Sequence, residues 1–326
     1  MLQALRQITE RKKLLLLVVV IYCVLYRFAS QRLWKDDTRS TARTLSTADR
    51  LLTLFWNNKQ PSPVSDVTIE SQVEQLAKGG VIISIGCAIT SKKLVEVSEN
   101  NVAQKFQFLN TFLPTFCRTA SQGFIYRFYL AYDRSDRVFA NQRLRDAFHR
   151  QFHEASTSGS CKDRGITTTN LSLVGCDHAG KPTWAQNDAM LEAYLDHVDY
   201  FYRINDDTLM LTGDWTQKFI STLKSYDPAL VGVVGPNHSG GNVGILTYDF
   251  VHRTHVDIFG FYYPHLFTDW WGDSWITRVY KPNRSTKIGE VRLVHTLRLG
   301  QRYNVRYQVG KQLGHQLNRG VAVVKR

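Results

Sequence analysis

The 326-residue chain has no CxxC pair, no GxGxxG after its first strand-like run, no P-loop, no HExxH and no internal repeat. Those absences exclude a zinc ribbon, a Rossmann dinucleotide site, a P-loop NTPase, a zincin-type protease and a repeat array. Low-complexity sequence is also missing, and 43% hydrophobic with 12% aromatic residues is ample material for a folded core. Acidic residues are scarce, 28 against 41 Lys and Arg, so the net charge is +13. That excess sits at the two ends: residues 1–60 carry +7 and residues 278–326 carry +11, which leaves the body at −5. With the basic charge confined to the ends and no RRM, KH or zinc-finger signature, a nucleic-acid partner is not expected.

Long apolar runs are limited to one. Residues 14–26, LLLLVVVIYCVLY, follow Arg11, Lys12 and Lys13, a charge placement that holds the N-terminus in the cytosol. The run is short of the roughly 20 residues of a typical span, but flanking Lys13 and Arg27 can snorkel and a thin early-secretory membrane asks for less. RFASQ (27–31) is a poor signal-peptidase site, because Arg27 stands two positions before Ala29. The expected organisation is a cytoplasmic tail (1–13), a transmembrane signal anchor (14–29), a polar stem (30–77) and a lumenal domain (78–326). Sequons at Asn170, Asn237 and Asn283 agree with a lumenal body. Of five cysteines, Cys23 lies in the anchor; Cys87, Cys117, Cys161 and Cys176 are either disulfide partners in an oxidising lumen or buried thiols.

After Gly79-Gly80, VIISIGCAIT (81–90) is a continuous apolar run of the kind a strand buried on both faces needs. Helical patterns near 101–117, 138–154 and 185–198 then alternate with strand-like runs at 124–133, 170–176 and 200–204. Such βα repetition predicts an α/β fold with a mainly parallel sheet and helices on both faces, binding ligands at the carboxyl ends of its strands. Asn205-Asp206-Asp207 falls at one of those ends. Two carboxylates there either form a polar turn or supply oxygen ligands to Mg²⁺ or Mn²⁺ shared with a diphosphate. FTDWWGDSWI (267–276) sets Asp269 and Asp273 among three tryptophans ahead of a helix, where Asp273 either caps that helix or acts on a substrate, and Trp270 and Trp271 either pack or stack on a sugar. VRLVHTLRLGQRY (291–303) carries His295. His252 and His255 lack the HExxH register of a zinc pair.

The anchor, the stem, the first strand VIISIGCAIT and an aromatic strand ending in NDDT together resemble a Golgi-type glycosyltransferase of the GT-A fold, over about residues 78–310. The resemblance implies that Asp206 and Asp207, with Asp207 the direct ligand, and His295 hold Mn²⁺ or Mg²⁺ against the diphosphate of a nucleotide sugar, a UDP-sugar first among donors. Asn205 stands at the first position of a strict Asp-x-Asp. It further implies that the segment Ser84 to Ser91, with Gly86, holds the nucleotide and that Lys287, Arg298 and Arg302 contact the diphosphate. Asp273, with Asp269 beside it, resembles the acceptor-side carboxylate that takes a hydroxyl proton in an inverting transfer. The implied partners are a nucleotide sugar and a glycan or glycoconjugate acceptor. The glycines at 240, 241 and 244 are expected near the donor and acceptor sugars. The stretch from HVDIFG to RLVHTLRLGQRY is also similar to modules related to the trypanosomatid base J glucosyltransferase, which implies a glucosyl or similar donor and no DNA substrate. A catalytically silent scaffold that binds a glycan or a protein is the alternative, because fold does not fix activity.

Overall fold

The computed structural model describes residues 80–325, so the expected tail, anchor and stem lie outside the described residues. Among the described residues no helix is long and apolar enough to cross a membrane. The chain forms a mixed α/β fold around one sheet of eight strands in the order β3-β2-β1-β4-β7-β6-β8-β5. The strands are β1 (Ile82–Ala88), β2 (Ile125–Asp133), β3 (Thr167–Cys176), β4 (Tyr200–Arg203), β5 (Thr208–Met210), β6 (Val233–Ser239), β7 (Phe250–His252) and β8 (Ser285–His295).

The first four strands run parallel, as the βα alternation predicts. β1 is buried along almost its whole length, which explains why its sequence is a continuous apolar run rather than an alternating one. Helix α1 (Val102–Lys105), a π-helical turn (Phe108–Phe112) and α2 (Leu113–Thr119) lead to β2. Next come α3 (Gln142–Thr157), α4 (Gly159–Asp163), α5 (Pro182–Leu195) and α6 (Trp215–Lys224). Asn141 caps α3 through its side chain, accepting from the amides of Arg143 and Leu144. The second half departs from the parallel expectation: β7 is antiparallel to β4 and β6, and β5 is antiparallel to β8. Helices α7 (Thr254–Phe259), α8 (Gly272–Val279) and α9 (Leu313–Val324) complete the chain, with a 3₁₀ turn at Tyr307–Gln312 before α9.

Two cores lie on the sheet. One is aromatic, with Phe108, Phe116, Phe128, Phe148, Trp215 and Phe219 among its buried rings; the other packs Met190, Val251, Tyr263, Trp275 and Ile276. Each such ring stabilises the fold by about 1.5–3 kcal/mol through apolar area removed from water. Cys117 of α2 and Cys161 of α4 form a disulfide, while Cys87 and Cys176 are free and buried. The three sequon asparagines, 170, 237 and 283, are exposed.

The parallel strands place the sheet's switch point between β1 and β4, because the chain leaves β1 for β2 on one side and returns from β3 to β4 on the other. The disulfide joins positions 44 residues apart, and closing a loop of that size constrains the unfolded chain by about 2–4 kcal/mol. The Cys117→Ser, Cys161→Ser double variant is therefore expected to unfold at lower denaturant concentration by about that free energy, as urea titration followed by circular dichroism will read.

Candidate functional site

The carboxyl ends of β1 and β4 carry the loop beginning at Ile89 and the Asn205-Asp206-Asp207 turn. β5 then pairs with the end of β8, Thr208 opposite His295, so the antiparallel register sets His295 beside Asp207 although they are 88 positions apart in sequence. His295 Nε2 lies 3.1 Å from Asp207 Oδ1, and Oδ1 is buried with no other hydrogen-bond partner. The other oxygen, Oδ2, accepts the Leu297 N–H at 3.1 Å. Thr296 binds the Asp207 carbonyl through both its N–H (3.1 Å) and its hydroxyl (3.0 Å). Burial raises the Asp207 pKa, but proximity to His295 and the charge of Arg302 outweigh it and hold the carboxyl below its ordinary value.

Asn205 Nδ2 is 3.3 Å from His295 Nε2 and 3.3 Å from the Tyr248 hydroxyl. His295 has two arrangements here: with its proton on Nε2 it faces the Asp207 carboxylate, and with Nε2 accepting from Asn205 the proton sits on Nδ1, which is buried and has no partner. In that second tautomer two lone-pair atoms, His295 Nε2 and Asp207 Oδ1, face each other 3.1 Å apart, an arrangement that either a proton on Nε2 or a divalent cation satisfies. The residues present therefore fit one cation held by two protein atoms. Among the described residues no group of three or more His, Cys, Asp or Glu side chains is arranged to hold a metal ion.

Asp206 is turned elsewhere. Its carboxylate accepts both guanidinium nitrogens of Arg302, Nη1 to Oδ2 at 2.6 Å and Nη2 to Oδ1, with both side chains nearly buried. The structure thus brings Asp207 and His295 together and pairs Asp206 with Arg302 instead of adding it to them. Asp206 and its neighbour Asp207 hold the Arg302 pKa above its ordinary value. Arg298 is exposed. Lys287, in β8, gives its ammonium to the Val243 carbonyl.

The β1 end is arranged differently from the expectation for Ser84 and Gly86. Ser84 is fully buried in the sheet and donates to the Tyr200 carbonyl at 3.2 Å. Gly86 faces α5, where a Cβ would lie 2.4 Å from Met190 Cε; the missing side chain makes room for the helix rather than for a ligand. Ser91 does reach the loop, but its hydroxyl and its N–H are both taken by Asp136 (2.6 and 2.7 Å), which also accepts from Thr90. Asp136 was not legible as a site residue: it lies in the DRSDRV turn after β2, and only the folded loop shows that it organises the crest of β1.

Asp269 and Asp273 stand on the acceptor side of the expected site. Asp269 is buried and saturated: Oδ1 accepts the amides of Trp270 (2.8 Å) and Arg306 (3.2 Å), and Oδ2 accepts from Thr268 (2.8 Å) and lies 3.5 Å from Arg306 Nε. Asp273, half-buried in the first turn of α8, accepts the Ser274 amide on Oδ1 at 2.8 Å; among the described residues Oδ2 has no hydrogen-bond donor. Behind it Asp249 is fully buried and accepts the hydroxyls of Tyr262 and Tyr263, each at 2.5 Å. His255, also buried, is held by the Tyr280 hydroxyl and the Tyr262 carbonyl, as suits a packed ring rather than a zinc ligand.

The segment from Thr296 to Arg306 lies across these acids as a strap. It is pinned by Leu297 to Asp207, Arg302 to Asp206, Arg306 to Asp269, the Tyr303 hydroxyl to Trp270 Nε1 (3.1 Å) and Lys93 Nζ to the Leu299 carbonyl (2.9 Å). The glycines after β6 shape the opposite wall: Gly240 has φ +83°, and a Cβ on it would lie 2.4 Å from the His295 carbonyl oxygen.

No family model and no curated protein matches the sequence. Among solved structures the chain is similar to the crystal structure of S. aureus TarS 1–349 in complex with UDP, at 11% identity and a TM-score of 0.44, over 74% of this chain and 65% of that one. This chain thus spans less than two thirds of that chain's length. At that overlap the likeness adds no weight to the roles of the residues above.

Two outcomes follow from the geometry. Gly240→Ala has to move either its own loop or the His295 backbone, so it is expected to destabilise the protein by about 1–3 kcal/mol and to weaken any cation-dependent rise in melting temperature, measured by scanning calorimetry with and without Mn²⁺. Burial, offset in part by Arg203 and the two tyrosines, lifts Asp249 from 3.8 to about 7. Between about pH 4 and pH 7 the folded protein then keeps a proton that the unfolded chain has released, so this group makes stability fall as pH rises through that window. Asp249→Asn is expected to flatten that fall in urea midpoints measured across the same range.

Proposed function

We propose that the protein is a glycosyltransferase of the GT-A type, moving a sugar from a nucleotide sugar, UDP-linked in the first instance, to a glycan or glycoconjugate acceptor. One observation carries this reading: at the switch point of the sheet, Asp207 Oδ1 and His295 Nε2 face each other 3.1 Å apart with a buried lone pair unsatisfied. Mn²⁺ or Mg²⁺ held by those two residues would leave coordination positions for diphosphate oxygens, the usual way such a cation is shared between protein and nucleotide. When bound, the ion offsets negative charge on the leaving nucleoside diphosphate. Arg302, held in place by Asp206, is the guanidinium nearest the acidic turn and suits the same diphosphate. Asp273 keeps one carboxylate oxygen available to take a proton from an acceptor hydroxyl, whereas Asp269 fixes the strap. A lumenal site in the Golgi or endoplasmic reticulum, reached by the N-terminal anchor, belongs to the same proposal.

A second reading has its own support. Asp206 is consumed by Arg302, which leaves two protein ligands for a cation instead of three. A silent scaffold that binds a nucleotide sugar or glycan without turnover accommodates that pairing.

Nucleoside diphosphate release from a panel of nucleotide sugars, measured on the purified full chain with Mn²⁺ or EDTA, separates them. The transferase reading expects Mn²⁺-dependent release from one donor, reduced by about 10²–10³-fold in Asp207→Ala and in His295→Ala. Nucleotide binding by calorimetry without release from any donor, with or without saccharides, selects the scaffold. Absence of both binding and release removes the cation–diphosphate site altogether.

A further inference from the structure

Among the described residues most aromatic side chains are consumed by the two cores. Trp270 and Tyr307 are not: they are 40% and 65% exposed, in edge-on contact with ring centroids 5.7 Å apart and planes at 80°. Trp270 is nonetheless held firmly. Its indole N–H donates to the Tyr303 hydroxyl (3.1 Å), and its backbone N–H to Asp269 (2.8 Å). Fixing the edge of an indole while leaving its surface in water costs side-chain entropy and forgoes burial, so packing alone does not account for the arrangement. Trp270 also stands three residues before Asp273.

We infer that Trp270 and Tyr307 form a saccharide-binding corner, a subsite that receives one sugar ring of the acceptor by stacking its C–H face against the aromatic surface. Size selects the occupant. Two aromatic side chains expose at most a few hundred Å², below the roughly 1,200 Å² that a stable protein partner buries. Of the other exposed large apolar side chains, Leu266 precedes Trp270 in the same loop and Leu297 lies in the strap, while Val81, Val95, Leu211 and Val243 are far from residues 270 and 307 in sequence. Two planes near a right angle match a single ring that presents one apolar face and one edge. The inference deepens the proposed function by naming where the acceptor's sugar sits, and it rests on that reading for the word acceptor; the saccharide contact itself does not.

The test uses the full chain and a panel of free mono- and disaccharides and aryl glycosides, with binding followed by calorimetry and by tryptophan fluorescence. The inference expects at least one saccharide to bind, its Kd to rise at least about 10-fold in Tyr307→Ala and in Trp270→Ala, and Trp270→Phe to keep most of the affinity while losing the fluorescence change. Val95→Ser, an exposed apolar position elsewhere, is the control that leaves Kd as it is. Where transfer to a panel member is measurable, the KM for the saccharide is expected to rise in the two alanine variants with the KM for the donor within about twofold. Equal Kd in wild type and both alanine variants overturns the corner, as does failure of every saccharide to bind the wild type. Saccharide binding that depends on Trp270 and Tyr307 in a protein that releases no nucleoside diphosphate keeps the corner and removes the transferase; nucleoside diphosphate release with Kd unchanged in the variants does the reverse.

Discussion

The pairing of a three-residue strand with the end of an eleven-residue one determines what this site can do. β5 is only Thr208–Met210, yet its antiparallel ladder to Leu293–His295 decides which side chains meet. Slipping that register by one residue would turn His295 to the other face of the sheet and leave Asp207 beside a different side chain. Thr296 secures the arrangement just beyond the ladder by donating its N–H to the Asp207 carbonyl, with its one hydroxyl proton shared between that carbonyl (3.0 Å) and Gln107 Oε1 (2.9 Å). The position of a candidate ligand pair thus depends on a few backbone bonds and on a glutamine from the far side of the acidic turn.

Uneven charge in the sequence takes on a structural meaning in the same place. The +11 segment 278–326 contains one acid, and the body before it is net negative. Two of its arginines, Arg302 and Arg306, close on Asp206 and Asp269, whose side chains are 6% and 4% exposed. Carboxylates that deep are stable as ions only when a cation or several donors compensate them. The strap supplies that compensation from within the chain, which divides the acids of the motifs into two kinds: Asp206 and Asp269 are neutralised by arginine, while Asp207 and Asp273 each keep an oxygen without a hydrogen-bond donor.

What was legible in the sequence follows from how far each signal reaches. The parallel half was readable because strands buried on both faces must be apolar throughout, as in VIISIGCAIT, and because the intervening helices carry their own periodicity. The antiparallel half was not. β5 and β7 have three residues each, too few for any pattern, and the first part of β8, STKIGE, is polar because it is largely solvent-accessible. The resemblance already set His295 with Asp207, but the ladder register that brings the two side by side is not displayed in the sequence. Arg302 was expected at a diphosphate; its bond to Asp206 spans 96 residues and is invisible until the strap is in place. Ser84 and Gly86 mark the opposite failure. Proximity to a ligand-binding strand end suggested function, whereas the strand's burial commits one to the sheet and the other to Met190.

The strap also links the two halves of the candidate site energetically. Arg302 and Arg306 are four residues apart, and one grips Asp206, the neighbour of Asp207, while the other meets Asp269, the neighbour of Trp270. If the proposed function holds, a diphosphate near Arg302 would compete with Asp206 for the same guanidinium and so weaken one anchor of the segment that sets the Tyr303 hydroxyl at the indole N–H of Trp270. Because such coupling is reciprocal, a ligand that orders Trp270 through Tyr303 also biases where Arg302 rests. The two sides need no common atom to influence one another: a short segment clamped at both ends by buried carboxylates is sufficient.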